Sequence, residues 1–226
     1  MTDVSVLDQE MFAEAEAARL LRLPQGTLHY WLDGGSQGGK VHKPIIRVEP
    51  TGSRAVTWAE FVEAGLLRSY RNHRVPMTEL RAFIDLLRNE YGVPYPLAHQ
   101  QPFVSGRQLV LEAQTATKLG AEFCLVAFAN DQLILTTPSQ EFVERVRWVD
   151  DIAVAWRPHD DPNSPVVMTP DVRFGRPAVG GISTDVILEH EQAGEETSEI
   201  ASAFGLPIDS VQWALAYEIS ARAKPA

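Results

Sequence analysis

Two stretches of the chain, RLPQGTLHYWL (residues 22–32) and GLPIDSVQWAL (residues 205–215), align without a gap. Leu23 matches Leu206, Pro24 matches Pro207, Thr27 matches Ser210, Leu28 matches Val211 and Leu32 matches Leu215. A small-residue helical stretch precedes each, AEAARLL in one and EIASAF in the other. This is the pattern of a helix-turn-helix, with a proline in the first turn of the second helix, where its missing N–H would be unpaired anyway. A module used twice implies two contacts, and the two need not be of one kind.

Charge separates the two copies. The chain of 226 residues has a net charge of −10, which taken alone argues against nucleic acid. Residues 19–88, however, hold eleven Lys/Arg against six Asp/Glu, a local net of +5. Residues 150–226 hold five against thirteen, a local net of −8. A basic functional face is therefore expected at one end and an acidic one at the other. The length allows one large domain or two to three small ones. Cys124 is the sole cysteine, which excludes an internal disulfide and fits a reducing cytoplasm. No apolar run is long enough to span a membrane. The acidic first thirty residues do not read as a signal peptide.

Residues 1–12 are expected to fray, and a first helix is expected over Ala13–Leu21. The second runs from the Pro24 turn to about Leu32 and stops at Gly34-Gly35. A two-stranded wing is predicted from Ile45–Val48 and Arg54–Val56 around PTGS. Thr57 and Glu60 have capping-box spacing, opening a helix with Trp58, Phe61, Val62 and Leu66 inward. Leu80, Phe83, Ile84, Leu87 and Tyr91 recur at helical spacing over Met77–Tyr91, with Gly92 ending the helix. The proline-rich VPYPLAHQQP reads as a linker. Residues 103–172 look strand-rich, with hairpins in FVSGRQLVL and in FCLVAFANDQLILTT around Asn130-Asp131, and a helix over Gln140–Arg147. Helices are expected over Asp185–Ala193, from a Thr197 or Ser198 cap to Phe204, and over Pro207–Ala221. The fold class is α+β: an N-terminal winged helix-turn-helix (1–100), a small strand-rich connecting domain (101–172) and a C-terminal three-helix module resembling a helix-turn-helix (173–226).

GGSQGGK, residues 34–40, contains G-x-x-x-x-G-K, but Val41 stands where a P-loop needs Ser or Thr, and a helix precedes the motif where a strand is required. The six histidines lack metal-ligand spacing, and HDD (159–161) between prolines reads as an exposed turn. No catalytic residue, metal or cofactor is expected, and the chain does not read as an enzyme. Buried Leu28 and Leu32 would place Gln25, His29 and Tyr30 on the outer face of the second helix, suited to a major groove. The wing would add Lys40, Lys43, Arg47 and Arg54. The second copy has Ile208, Asp209 and Gln212 outward, with acidic neighbours that repel a polyanion. Those three and Trp213 are read as a partner-binding surface. The stripe Leu80, Phe83, Ile84 and Leu87 is read as a homodimer contact, with packing inside one subunit as the alternative.

EAARLLRLPQGTLHYWL resembles the winged-helix module of MerR-type regulators, in which the recognition helix reads T-L-R-Y-[YW]. Thr27, Leu28, Tyr30 and Trp31 match, and His29 stands where Arg is common. The segment from Val172 to Glu218 is similar to the antitoxin-like family numbered 433 among the domains of unknown function. Gly175, Arg176, Pro177 and Gly181 match its opening, and Ile182-Ser183 replaces its Thr-Arg pair. The order of modules resembles VapB-type antitoxins. That resemblance implies a cognate PIN-domain ribonuclease toxin as partner, operator DNA as a second partner and a cytoplasmic place of action. The alternative is a free-standing MerR-like transcription regulator whose C-terminal part senses a ligand or a protein.

Overall fold

A computed structural model of the chain describes residues 5–37, 39–70, 77–103, 107–118, 124–129, 132–159 and 161–222. It is mixed α and β, with strands only in short two-stranded pairs. The chain divides into two compact units, Met1–Ala153 and Val154–Ala226, a different division from the three parts expected.

In the first unit, β1 (Glu10–Ala13) pairs antiparallel with β4 (Ala55–Thr57). Residues 10–12 are therefore anchored rather than frayed. Phe12 is buried, its ring 4.7 Å from Phe61, which in turn stacks on Trp58. The local pattern of the N-terminus gave no hint of this, because its apolar partners lie some forty-five residues on. Two helices follow β1, α1 (Glu14–Leu20) and α2 (Gln25–Asp33), with Ala17, Leu20, Leu28 and Leu32 inward. Gly34 ends α2 at φ 72°, its N–H donating to the Tyr30 carbonyl. A Cβ there would meet the backbone carbonyl of His42. Only glycine lets the chain turn directly into the hairpin of β2 (Gly35–Gln37) and β3 (Lys40–His42).

The wing thus differs from expectation. Residues 45–48 form bends, not a strand, and 55–57 pair with the N-terminal strand. GGSQGGK lies in the β2–β3 hairpin, with α2 before it. Then α3 (Trp58–Tyr70) opens with the expected capping box: the Glu60 N–H donates to Thr57 Oγ1 at 3.3 Å and the Thr57 N–H to Glu60 Oε2 at 2.9 Å. The helix α4 (Met77–Tyr91) buries Leu80, Phe83, Ile84 and Leu87, and Gly92 follows it at φ 66°.

Residues 107–111, the second half of the expected FVSGRQLVL hairpin, instead open the helix α5 (Arg107–Ala116). Its Val110, Ala113 and Gln114 are buried three or four residues apart, so the helical period overrides the β-branched content. The strands β5 (Val126–Ala129) and β6 (Gln132–Leu135) pair as expected, while Asn130 and Asp131 lie outside the described residues. Gln114 fastens the start of β5, its Oε1 accepting the Leu125 and Val126 N–H groups. The unit closes with α6 (Thr137–Arg145), β7 (Val146–Val149) and the start of β8 (Ile152–Trp156).

The second unit is built on β9 (Ala178–Val179) and β10 (Ile182–Ser183), then α7 (Thr184–Gln192), α8 (Thr197–Phe204) and α9 (Ile208–Arg222). Val166, Val179, Ile187, Ile200, Val211, Ala214 and Tyr217 form its core. PVVMT, expected as a strand, contributes only isolated bridges, Trp156 with Met168, Val167 with Ala178 and Thr169 with Val172. The cap of α8 is Glu196 in a capping box with Glu199, not Thr197 or Ser198. A carboxylate satisfies the helix's first N–H groups and its positive end together.

The internal repeat extends to the hydrogen bonds. The Leu23 N–H donates to Ala18 O at 2.8 Å, and Leu206 to Ala201 O at 2.9 Å. Thr27 and Leu28 donate to Pro24 O as Ser210 and Val211 donate to Pro207 O. The turn needs a left-handed residue, supplied by Arg22 at φ 52° in one copy and Gly205 at φ 64° in the other.

Candidate nucleic-acid interface

Three of the residues expected at DNA meet on one buried carboxylate. Glu14, in the first turn of α1, is buried. Its Oε1 accepts from Gln25 Nε2 at 3.2 Å and from Arg54 at 2.8 Å, and its Oε2 lies 3.0 Å from His29 Nδ1. Gln25 and His29 share an edge of α2 because they are four residues apart, and β4 pairing with β1 brings Arg54 beside them. The Arg54 side chain remains 65% exposed. The carboxylate orients all three groups, and it also offsets one positive charge.

Nothing local in the sequence marks Glu14 as this organiser; it reads as an ordinary acidic residue near a helix start. Its role exists only once residue 54 has been brought alongside.

The other expected contacts are dispersed. Lys43 is exposed and pairs with exposed Glu49 at 3.2 Å, a solvent pair worth little that a phosphate can displace. Tyr30 is half-buried, edge-on to His42 at 6.1 Å between ring centres. The backbone of Lys40 lies in β3, and its side chain is outside the described residues.

Arg47 corrects the sequence reading. It was expected on the wing, facing phosphate, but it is 4% exposed. Its guanidinium donates to Glu60 Oε1 at 2.7 Å and Oε2 at 3.2 Å, Asp33 Oδ1 at 2.9 Å, Thr51 Oγ1 at 2.7 Å, Ser53 O at 3.1 Å and Ala55 O at 2.8 Å. Burial works against its charge, but the Glu60 and Asp33 carboxylates outweigh this and raise its pKa. Burial likewise pushes Asp33 up, and the Thr51 N–H and the Arg47 guanidinium more than reverse it, holding its carboxyl below the usual value. Arg47 is thus the knot that ties the 47–55 segment to the end of α2 and the start of α3.

The dimer stripe is corrected in the same way. Leu80, Phe83, Ile84 and Leu87 are all buried inside the single chain, which is the alternative weighed from the sequence. Arg88, off the stripe, is buried too, and donates to the carbonyls of Ile45, Ile46 and Pro94. It satisfies backbone acceptors in the bends that replaced the expected strand.

In the second unit, Ile208, Asp209 and Gln212 are exposed along α9. Trp213 is half-buried, its indole edge-on to His159 at 5.3 Å between ring centres. Among the described residues, no group of three or more His, Cys, Asp or Glu side chains is placed to hold a metal ion. No helix there is long and apolar enough to cross a membrane.

No protein-family model matches the chain. It is 34% identical to the protein named "Uncharacterized protein Rv2308" of Mycobacterium tuberculosis, over 96% of this chain and 93% of that protein. It is 26% identical to "Putative antitoxin VapB45" of the same organism, over 92% of this chain and 93% of the relative. Among solved structures it is similar to the crystal structure of Rv2018 from Mycobacterium tuberculosis. The TM-score is 0.75 at 25% identity, covering 92% of this chain and 99% of that one.

Proposed function

Because the chain belongs to the same family as Rv2308, we propose that it is an antitoxin that binds a cognate PIN-domain ribonuclease toxin and represses its own operon through DNA. The observation that carries the antitoxin part is the nearly full-length similarity to a relative named as an antitoxin. The DNA part rests on the first helix pair, where Gln25, His29 and Arg54 are gathered on Glu14, and on Lys43, exposed just after β3. In this reading, residues 14–33 work as a MerR-like helix-turn-helix, with α2 entering the groove and Lys43 and Arg54 on the backbone. The unit Val154–Ala226 is the antitoxin-like module, and Ile208, Asp209, Gln212 and Trp213 on α9 face protein. A homodimer is part of the proposal, because a palindromic operator asks for two-fold symmetry, but the buried α4 stripe is not its contact. The protein acts by binding rather than by catalysis, in the cytoplasm with its operator and toxin.

Co-expression with the product of the neighbouring reading frame, followed by purification on a tag carried by one of them, tests the toxin contact. The expected result is a complex in which ribonuclease activity is suppressed. Gel shifts with the upstream region test the DNA contact. Lys43→Ala with Arg54→Ala is expected to weaken binding and to reduce the slope of log K against log salt by about 0.9 per lost phosphate contact. An unchanged slope refutes the assignment of those two side chains.

A further inference from the structure

Phe174 is 85% exposed, unlike every other phenylalanine with a described side chain. It lies in Arg173-Phe174-Gly175, where φ is 50°, 55° and 73° in succession. Glycine takes this left-handed region freely, but arginine and phenylalanine do so at a cost in backbone energy. Burial of the ring does not offset that cost, since the ring is in solvent. The turn is nonetheless tied down. The Gly175 N–H donates to Val172 O at 3.1 Å, the Arg176 N–H to Arg173 O at 3.2 Å and the Val172 N–H to Thr169 O at 3.0 Å. Arg173 Nε donates to Gly181 O at 2.9 Å. A strained turn held in one conformation to present an apolar ring to water is a preorganised anchor: the ordering cost of binding is already met in the free chain.

Charge indicates what it anchors. Arg173 and Arg176 are exposed on either side of the ring, in a unit that otherwise tends acidic, with three other Lys/Arg against eleven Asp/Glu over residues 154–226. A polyanion would meet repulsion from that background. A protein surface with a few carboxylates around an apolar pocket and basic groups beyond it would complement both the loop and its surroundings. Aromatic and arginine side chains are also the types enriched at protein interfaces.

We propose that Arg173, Phe174 and Arg176 form a docking loop for a protein partner offering an apolar pocket rimmed by carboxylates. The proposal rests on the antitoxin reading and adds a surface to it, separate from α9.

The test uses the full chain and, as probe, the purified product of the neighbouring reading frame, titrated by calorimetry. Phe174→Ala is expected to weaken binding at least tenfold with an unchanged melting temperature, because the ring buries nothing; Phe174→Gly is expected to weaken it as much with an equal or higher melting temperature, because glycine takes the left-handed turn freely. Arg176→Glu is expected to weaken it as well, most strongly at low salt. If the wild-type chain binds and both Phe174 variants bind equally well, the loop proposal is overturned and the antitoxin reading stands. No binding by the wild type removes both. A lower melting temperature in both Phe174 variants marks the ring as structural and overturns the proposal. So does loss of binding to a twelve-nucleotide single-stranded RNA with protein binding intact, which would assign the loop to nucleic acid.

Discussion

Replacing Arg47 by Met separates a structural arginine from a phosphate-binding one. The guanidinium makes six hydrogen bonds inside the first unit. Without it, Asp33 keeps only the Thr51 and Gly52 N–H groups, and Glu60 keeps the Thr57 N–H and the Tyr95 hydroxyl. Two carboxylates remain buried with no cation, and breaking a buried pair from one side costs about 3–5 kcal/mol. Against a total stability of about 5–15 kcal/mol, this is a large fraction. Methionine fills much of the volume, so cavity formation adds little. The loss also has a sign in pH. In the parent the Arg47 guanidinium helps to hold the Asp33 carboxyl below its usual value, a stabilisation present above the ordinary carboxylate range and lost as pH falls through it. The variant lacks that contribution, so its destabilisation is larger above this range than below it. Urea unfolding at pH 3 and pH 7, with hydrogen exchange followed in peptides from residues 58–70, reads this directly. Adding Glu60→Gln to Arg47→Met is expected to recover part of the loss. Arg47→Met with unchanged stability at both pH values, but weakened operator binding, would refute the buried-knot reasoning and return Arg47 to the DNA surface.

Three further outcomes follow from the same packing. Leu80→Asp with Leu87→Asp is expected to unfold the first unit, seen by circular dichroism; a folded monomer from a dimeric parent would restore the stripe as an interface. Burial pushes Glu63 up to about 8 from an ordinary 4.5, with Arg88 and the Leu97 N–H opposing it. Between those values the folded chain holds a proton that the unfolded chain has lost, so stability falls as pH rises through that window. Glu63→Gln is expected to flatten this slope and to stabilise the chain at pH 9 by on the order of 1–3 kcal/mol, checked by thermal melts. Gly34→Ala, at φ 72° against the His42 carbonyl, is expected to cost about 1–3 kcal/mol in urea unfolding.

The sequence by itself determined what repeats over short distances. The two helix pairs, the Thr57–Glu60 capping box, the apolar face of α4 and the glycine stops are set by contacts within a few residues, so periodicity and cap chemistry report them. The split of charge along the chain was legible for the same reason. Which face each residue turned to was decided by the tertiary structure. Residues 45–48 alternate like a strand, yet the strand that takes up 55–57 comes from residues 10–13, and no local pattern encodes that partner. Arg47 looked like a surface cation because arginine mostly is; Asp33 and Glu60, fourteen and thirteen residues away, make its burial tolerable. A helix stripe reads the same whether its cover comes from the same chain or a second copy, since the hydrophobic effect has no direction. Only the folded chain shows that α4 is already covered. Phe174 is the converse case: composition would bury it, and the left-handed turn of residues 173–175, held by its own hydrogen bonds, turns it to solvent.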